Sequence, residues 1–191
     1  MNFEIVVIGA SLGGLNALEV ILSELPRNFP VAVAIAQHRH KFSDGELVDY
    51  LQEKTLLPVI EVEDKQPIIP GRVFLAPANY HLLVEPGYFS LSTDAPVTYA
   101  RPSIDVLFES AADVYRTQVI GIILTGANND GAIGLAKIQV YGGTIIVQKP
   151  DTAECPIMPE AAIKAVKMPQ ILPLSEIVPF LNSQIGFQVL N

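Results

Sequence analysis

Continuously apolar runs alternate with amphipathic segments, and this alternation constrains the fold more than any other feature of the sequence. The runs are FEIVVI, VAVAIAQ, QVIGIILTG and TIIVQ. A short run without a polar face is typical of a parallel strand covered on both sides, and hydrophobic residues at helical spacing follow the first run. Strands that alternate with helices form a right-handed, mostly parallel sheet. We therefore expect one α/β domain over residues 1–191, doubly wound, with three layers.

The middle of the chain has a different pattern. VIEVED, GRVFLAP, YHLLVEP and YFSLST are short extended runs separated by proline and glycine. We expect shorter strands here, some of them antiparallel, with a hairpin that turns at Pro86-Gly87. One helix is predicted before this region, over 44–54. The clearest helix follows it from Ile104 to Tyr115, with Ser103 placed to cap its start.

Composition and charge argue against several classes of function. The net charge of −8 leaves no basic face for nucleic acid. The sequence has neither a signal peptide nor an apolar run of about 18 residues, so we expect a cytoplasmic protein without membrane insertion. The 3 histidines and 1 cysteine lack the spacing of a zinc site, and no metal is expected.

Three turns at the predicted carboxyl ends of strands carry the reactive side chains. GASLGG, after the first run, contains G-x-S-x-G, which presents Ser11 on a strand-to-helix elbow. QHRH, after the second run, supplies His38 as a base, with His40 as its rival. LTGANNDG, after the third run, supplies Asp130. A serine, a histidine and an aspartate at one rim of a sheet indicate nucleophilic hydrolysis.

Each of these residues also has a structural interpretation. Ser11 and Asp130 are suited to capping helices, and either histidine can be a surface loop residue. His81 is interpreted as structural or as a pocket wall. A phosphate-binding turn is a further alternative, but a dinucleotide fingerprint requires glycine where Ser11 stands.

Four motifs, taken together, resemble the catalytic domain of the CheB-type protein-glutamate methylesterases. They are GASLGG, the pair Gln37-His38, RPSIDVLF from Arg101 to Phe108, and LTGANNDG from Leu124 to Gly131, in the family's order. The resemblance extends over about residues 4 to 182. It implies hydrolysis of glutamate γ-methyl esters on chemoreceptor helices, with deamidation of glutamine in some members, and no cofactor.

The resemblance also implies roles for individual residues. By position, Ser11 is the nucleophile, His38 the base and Asp130 the orienting acid. For the oxyanion we expect backbone N–H groups of Leu12 and of the Ala127-Asn128 turn. Gly13 and Arg101 complete the expected substrate-binding set.

This sequence departs from the family's pattern at several positions. Leu12 stands where threonine is common, Ala127 where methionine is usual, and CPIMP at 155–159 is short and lacks an aromatic residue. The family usually carries an N-terminal receiver domain, whereas this chain begins at the first strand, which implies a regulator in trans. Two alternatives stay open: a binding or scaffold module that has lost turnover, and a nucleotide-binding domain.

Overall fold

The computed structural model describes residues 3–40 and 46–186, and they form a three-layer α/β structure. Two short 3₁₀ turns, Arg116–Gln118 and Pro150–Thr152, connect some of its elements. In chain order the strands and helices are β1 Ile5–Ala10, α1 Gly14–Glu24, β2 Ala32–Gln37, α2 Glu46–Lys54, β3 Val59–Glu61, β4 Val73–Leu75, β5 His81–Glu85, β6 Tyr88–Ser92, α3 Ile104–Tyr115, β7 Val119–Ile123, α4 Ala132–Val140, β8 Thr144–Gln148, α5 Ile157–Ala165, β9 Gln170–Leu172 and α6 Leu174–Ile185.

A parallel sheet of 7 strands forms the middle layer, in the order β3-β4-β2-β1-β7-β8-β9. All of its neighbouring strands pair in parallel. The chain winds outward from β1 in both directions, so β1 lies at the point where the strand order reverses. The loops after β1, β2 and β7 meet at this point, which is where open α/β sheets bind their ligands.

Both faces of the central strands are buried, which is why their sequences show no polar face. Val6 and Ile8 of β1 pack into a core with α1, α2 and α6. Ile5 and Val7 point the other way, into a core with α3, α4, α5 and the β5–β6 hairpin. This alternation follows from the two-residue period of a strand. The expectation of a doubly wound, three-layer α/β fold is confirmed.

The middle of the chain divides between the sheet and a separate hairpin. β3 and β4 are parallel strands of the main sheet, whereas β5 and β6 form the antiparallel pair expected around Pro86-Gly87. Gly87 at the turn has φ +84°, which glycine adopts without steric cost. The predicted helix over 44–54 is described from Glu46, and its first two residues lie outside the described part of the chain.

The sequence patterns predict no element beyond the TIIVQ strand, and the structure adds α5, β9 and α6 there. Pro159 lies in the first turn of α5, where proline is tolerated, whereas Pro179 lies inside α6, where proline normally argues against a helix. Ile177, Val178 and Leu181 of α6 are buried against the core around α1. Tertiary packing therefore stabilises α6, a helix that the sequence patterns do not predict.

Candidate active site

The turn after β1 holds Ser11 through its backbone and leaves its hydroxyl free to face a histidine. The Ser11 N–H donates to the Thr125 carbonyl at 3.0 Å. Its own carbonyl accepts from Gly14 N at 2.8 Å and from the Gln37 side-chain amide at 2.9 Å. The N-cap of α1 is Gly13, at φ 75° and without a side-chain hydrogen bond. The helix-capping interpretation of Ser11 is therefore wrong.

His38 connects Ser11 to Asp130. Its Nδ1 lies 3.2 Å from Ser11 Oγ, and its Nε2 lies 2.8 Å from Asp130 Oδ2. An ionised carboxylate can only accept hydrogen bonds, so the neutral ring carries its proton on Nε2. The lone pair of Nδ1 then faces the serine hydroxyl. The arrangement is that of a base directed at a nucleophile and oriented by an acid.

Asp130 is buried and its carboxylate accepts from four donors. Oδ2 accepts from His38 Nε2 and from Ile104 N at 2.7 Å. Oδ1 accepts from Ser103 Oγ at 2.9 Å and from Asp105 N at 3.0 Å. Asp130 thus caps the N-terminus of α3, a helix distant in sequence. The sequence suggested that it caps the helix that follows it, but the N-cap of α4 is Gly131.

These donors decide the protonation state of Asp130. Burial alone would raise the pKa of this carboxyl group, because it penalises the charged form. Hydrogen bonds from His38 and from the backbone N–H groups of Asp105 and Ile104 outweigh that effect and lower the pKa below its ordinary value of 3.8. Asp130 is therefore a carboxylate at neutral pH, as an acid that orients a histidine must be.

A second buried acid, Asp105, caps α4 in return. Its Oδ1 accepts from Gly134 N at 2.7 Å, in the first turn of α4. The absence of a side chain at Gly134 lets α3 and α4 pack this closely, because a Cβ there would lie 2.6 Å from Phe108 Cβ. Burial raises the pKa of Asp105 from 3.8 to about 6, the Gly134 bond opposes the rise, and the charge of Asp130 adds to it. Asp130 thus caps α3 with a lowered pKa, whereas Asp105 caps α4 with a raised pKa.

Asp105→Asn is expected to stabilise the protein at neutral pH. Between pH 4 and 6 the folded state holds a proton on Asp105 that the unfolded state releases, so the free energy of unfolding falls as pH rises. A pKa shift from 3.8 to about 6 corresponds to roughly 3 kcal/mol. An amide stays neutral and still accepts from Gly134. Urea unfolding from pH 4 to pH 7 measures the difference between variant and parent, which should grow with pH.

Asp113→Asn is the matched control, because Asp113 lies on the same helix but its side chain is half exposed, paired with Lys137 at 2.7 Å. This variant should show no comparable gain in stability across the same pH range. A parent whose stability relative to Asp105→Asn is constant from pH 4 to pH 7 would contradict the elevated pKa.

The turns after β1 and β7 contain backbone and amide donors close in sequence to Ser11 and Asp130. Within the described residues, the N–H groups of Leu12, Gly13, Ala127 and Asn128 donate to no protein acceptor. The Leu12 carbonyl is held by Thr125 Oγ1 at 2.8 Å, which fixes that peptide. Asn128 adds a side-chain donor: its Oδ1 accepts from Asp130 N at 3.2 Å, and its Nδ2 lies 3.4 Å from His38 Nδ1.

Two cavities open on either side of His38. One, of about 550 Å³, is lined by Ser11, Leu12, Gly13 and Glu154 among others. The other, of about 600 Å³, is lined by residues that include Asn128 and Arg101. Leu12 is 56% exposed at the mouth of the first cavity. Leu12, which stands where threonine is common in the family, therefore lies at the surface of the cavity and not in the core.

The remaining candidates occupy supporting positions. His40 lies in the wall of the second cavity, and it is His38 whose ring contacts both Ser11 and Asp130. His81 is buried: its Nδ1 accepts from Ser103 N at 3.2 Å and its Nε2 lies 3.1 Å from the Ala95 carbonyl, so it connects β5 to the start of α3. The Arg101 guanidinium donates to Asn79 and to backbone carbonyls of the loop at 93–94.

Sequence reasoning missed three residues that hold the site together. Ser103 was predicted as the cap of α3, and its Oγ does accept from Val106 N at 3.4 Å, but it also donates to Asp130. Gln37 donates to the carbonyls of Ser11 and His38. Thr125 connects the turns at Leu12 and Cys155. Their positions inside the RPSIDVLF, QH and LTG motifs are the sequence features that could have indicated them.

Comparison with known proteins places this chain in a family. The model of the CheB methylesterase family matches residues 6–181. The chain belongs to the CheB methylesterase family. Its fold agrees with the crystal structure of the Thermotoga maritima CheB methylesterase catalytic domain, with a TM-score of 0.91 at 32% identity, over 96% of this chain and 100% of the other.

Individual relatives differ in length. A Leptospira interrogans protein, named provisionally as protein-glutamate methylesterase/protein-glutamine glutaminase, is 48% identical over 93% of this chain and 92% of its own. The Anaeromyxobacter dehalogenans protein-glutamate methylesterase/protein-glutamine glutaminase 2 is 39% identical over 91% of this chain but 51% of its own. The chain thus spans nearly all of one relative and about half of the other.

These findings confirm the family identified from the motifs and the prediction of a hydrolase of the methylesterase class. None of them favours the scaffold or nucleotide-binding alternatives. Among the described residues no helix is long and apolar enough to cross a membrane. The same residues contain no cluster of three or more side chains suited to a metal ion.

Proposed function

We propose that this chain is a cytoplasmic serine hydrolase that demethylates glutamate γ-methyl esters on chemoreceptor proteins. The observation that carries the proposal is the continuous contact from Ser11 Oγ through His38 to Asp130, at 3.2 Å and 2.8 Å, at the carboxyl ends of three adjacent strands. Membership of the CheB methylesterase family supports the choice of ester.

The first half of the reaction forms an acyl-enzyme. His38 Nδ1 takes the proton of Ser11 as Oγ attacks the ester carbonyl, and the proton on Nε2 stays in its bond to Asp130. The resulting imidazolium is stabilised by the buried carboxylate. His38 then returns the proton from Nδ1 to the departing methoxide, and methanol leaves.

The oxyanion formed in that attack needs donors that are already in place. The backbone N–H groups of Leu12 and of the Ala127-Asn128 turn have no protein acceptor among the described residues, and they belong to the turns that follow β1 and β7. The Asn128 side-chain amide is a further donor, held by its bond from Asp130 N. Donors of this kind, fixed before the reaction, each contribute about 10²–10³ in rate.

The second half hydrolyses the acyl-enzyme. Water gives a proton to His38 and attacks the same carbonyl, and Ser11 leaves with a proton returned from the ring. A glutamine side chain would form the same acyl-enzyme with ammonia as the leaving group, so deamidation requires no additional residue.

Methanol release from a receptor helix fragment carrying one glutamate γ-methyl ester tests the proposal. We expect one methanol per ester consumed, and ammonia when glutamine replaces the ester residue. His38→Ala should abolish release, whereas His40→Ala should retain most of it, because His38 is the histidine whose ring is seen to contact both Ser11 and Asp130. A chain with an intact circular dichroism spectrum that releases no methanol would refute the esterase.

A further inference from the structure

The cavity on the far side of His38 from Ser11 carries positive charge that the hydrolytic residues do not use. It measures about 600 Å³, and Arg39 and Arg101 lie in its wall. No acidic side chain of the described residues lines it. The chain as a whole is acidic, at −8, so the arginines of the cavity have the opposite sign to the net charge of the chain. A local charge of this kind selects a ligand of the opposite charge.

Arg101 is fixed in place without being neutralised. Its Nη1 donates to the Thr93 and Asp94 carbonyls at 2.7 and 2.9 Å, and Nη2 donates to Asn79 Oδ1 at 2.6 Å. All of these acceptors are uncharged, and no carboxylate in the described part of the chain forms an ion pair with Arg101. Nε of Arg101 also donates to Asn79 Oδ1, at 3.2 Å, so within the described residues one Nη2 N–H of this fixed and charged guanidinium is left to donate to a carboxylate.

Arg39 lies in the same wall. Its Nη2 pairs with Glu61 and donates to the Ala76 carbonyl at 2.8 Å. Its Nε and Nη1 are buried, and no acceptor among the described residues reaches them. Buried donors without partners are rare in proteins, because each has lost its hydrogen bonds to water and has gained none in the protein. Glu61 offsets the charge of Arg39, so the net charge of the cavity resides mainly on Arg101.

The outer wall is a tight turn in a conformation that non-glycine residues seldom adopt. Val97 and Ala100 exchange both backbone hydrogen bonds, at 3.1 and 2.8 Å. Thr98 and Tyr99 between them have φ 48° and 63°. Tyr99 is fully exposed and forms the lip of the cavity. Strained turns of this kind persist where they shape a site.

The cavity on the Ser11 side has the opposite character. Glu154 lines it, and no lysine or arginine of the described residues does so. The mouth of the site is therefore polarised across His38, with an acid on one side and arginine on the other. A substrate with a charged neighbour beside its ester would bind more favourably in one orientation than in the reverse.

We propose that the arginine-lined cavity is a subsite for a carboxylate of the protein substrate, which binds beside Arg101 while the esterified glutamate reaches Ser11. This inference rests on the proposed esterase function and specifies its substrate. On a helix, side chains three or four positions apart lie on one face, so the carboxylate belongs to a neighbour of the ester at that spacing. The chain would thus select esters flanked by acidic residues despite its own net negative charge.

Matched substrates test this subsite. The substrates are pairs of helix peptides, each with one glutamate γ-methyl ester. The two peptides of a pair differ at one position, three or four residues before or after the ester, where one carries glutamate and the other glutamine. We expect kcat/KM to be about tenfold higher for at least one glutamate peptide, as a charge-assisted hydrogen bond contributes. Arg101→Gln should abolish the preference, and Arg101→Lys should retain part of it. The control Arg27→Gln, at an exposed residue at the opposite end of the sheet, should change nothing.

The outcomes separate the two proposals. Equal kcat/KM for glutamate and glutamine peptides, or a preference that survives in Arg101→Gln, would overturn the subsite. Turnover of a neutral ester, N-acetylglutamate α-amide γ-methyl ester, by the unmodified chain reports the esterase alone. If Arg101→Gln does not fold, the preference of the unmodified chain must shrink as salt rises from about 0.05 to 0.5 M.

Absence of turnover of every ester would refute the esterase and leave the subsite open to direct measurement. Calorimetric titration of the same glutamate and glutamine peptides against Ser11→Ala then decides it. Tighter binding of a glutamate peptide supports the subsite, and equal binding overturns it.

Discussion

Ser11→Ala is expected to lower kcat for methanol release by at least about 10⁴-fold, since losing the nucleophile of a triad costs about 10⁶ and other groups sustain only slow residual turnover. The hydroxyl is the group that would form the acyl bond, and no neighbouring side chain can replace it. Stability should change little, because the backbone bonds of Ser11 to Thr125, Gly14 and Gln37 do not involve the hydroxyl. Methanol release and urea unfolding measure the two quantities.

Ser23→Ala is the matched control for that substitution. Ser23 lies on α1 and its hydroxyl donates only to the Val20 carbonyl of the same helix, at 3.0 Å. This variant should retain full turnover. A Ser11→Ala chain that hydrolyses the ester within tenfold of the parent would assign the nucleophile to another residue.

Asp130→Asn is expected to reduce both turnover and stability. An amide has one acceptor oxygen and one NH₂ group, so two of the four donors that face Asp130 would meet another donor. With the NH₂ toward His38, the ring proton moves to Nδ1 and the lone pair no longer faces Ser11. A wrong tautomer of this kind costs about 10⁴ in kcat, and leaving buried donors unpaired costs about 2–4 kcal/mol of unfolding free energy.

The stability loss should depend on pH. Because the folded pKa of Asp130 is lowered from 3.8, the carboxylate contributes stability above that value, and the contribution is lost as pH falls through the folded pKa. The gap between parent and Asp130→Asn should therefore close in acid. Urea unfolding at pH 7 and near pH 3 measures it, and a gap that is equal at both would contradict the lowered pKa.

Ser103→Ala separates the two roles of Asp130. It removes one donor to Asp130 and the side-chain cap of α3, which should cost about 1 kcal/mol. It leaves the bond between Asp130 and His38 in place, so kcat should fall far less than in Asp130→Asn. Equal losses of kcat in the two variants would show that Asp130 acts on turnover only through the stability of α3.

The candidate site was accessible from sequence because of one geometric rule. Residues that follow parallel strands share one edge of the sheet, so Ser11, His38 and Asp130 could be brought together although 119 positions separate the first from the last. Roles that depend on a distant helix were not accessible. The sequence suggested that Asp130 caps α4, whereas its carboxylate caps α3.

The C-terminal elements show the other limit of sequence reasoning. β9 has 3 residues with the sequence QIL, which is too short to form a recognisable apolar run. α6 contains Pro179, and the buried face of Ile177, Val178 and Leu181 stabilises it only once the core around α1 exists. Local preference and tertiary packing disagree there, and packing prevails.

The sequence by itself determined the alternation of strands and helices, the turns that bear the serine, histidine and aspartate, and the family, because these depend on local periodicity and on ordered motifs. Only the tertiary structure decided that Nδ1 of His38 faces Ser11, that Asp130 caps α3 while Asp105 caps α4, and that Arg101 lies in the wall of a cavity beside the site without an ion pair. Those features depend on contacts between residues far apart in the chain. The folded backbone sets the positions and directions of their side chains.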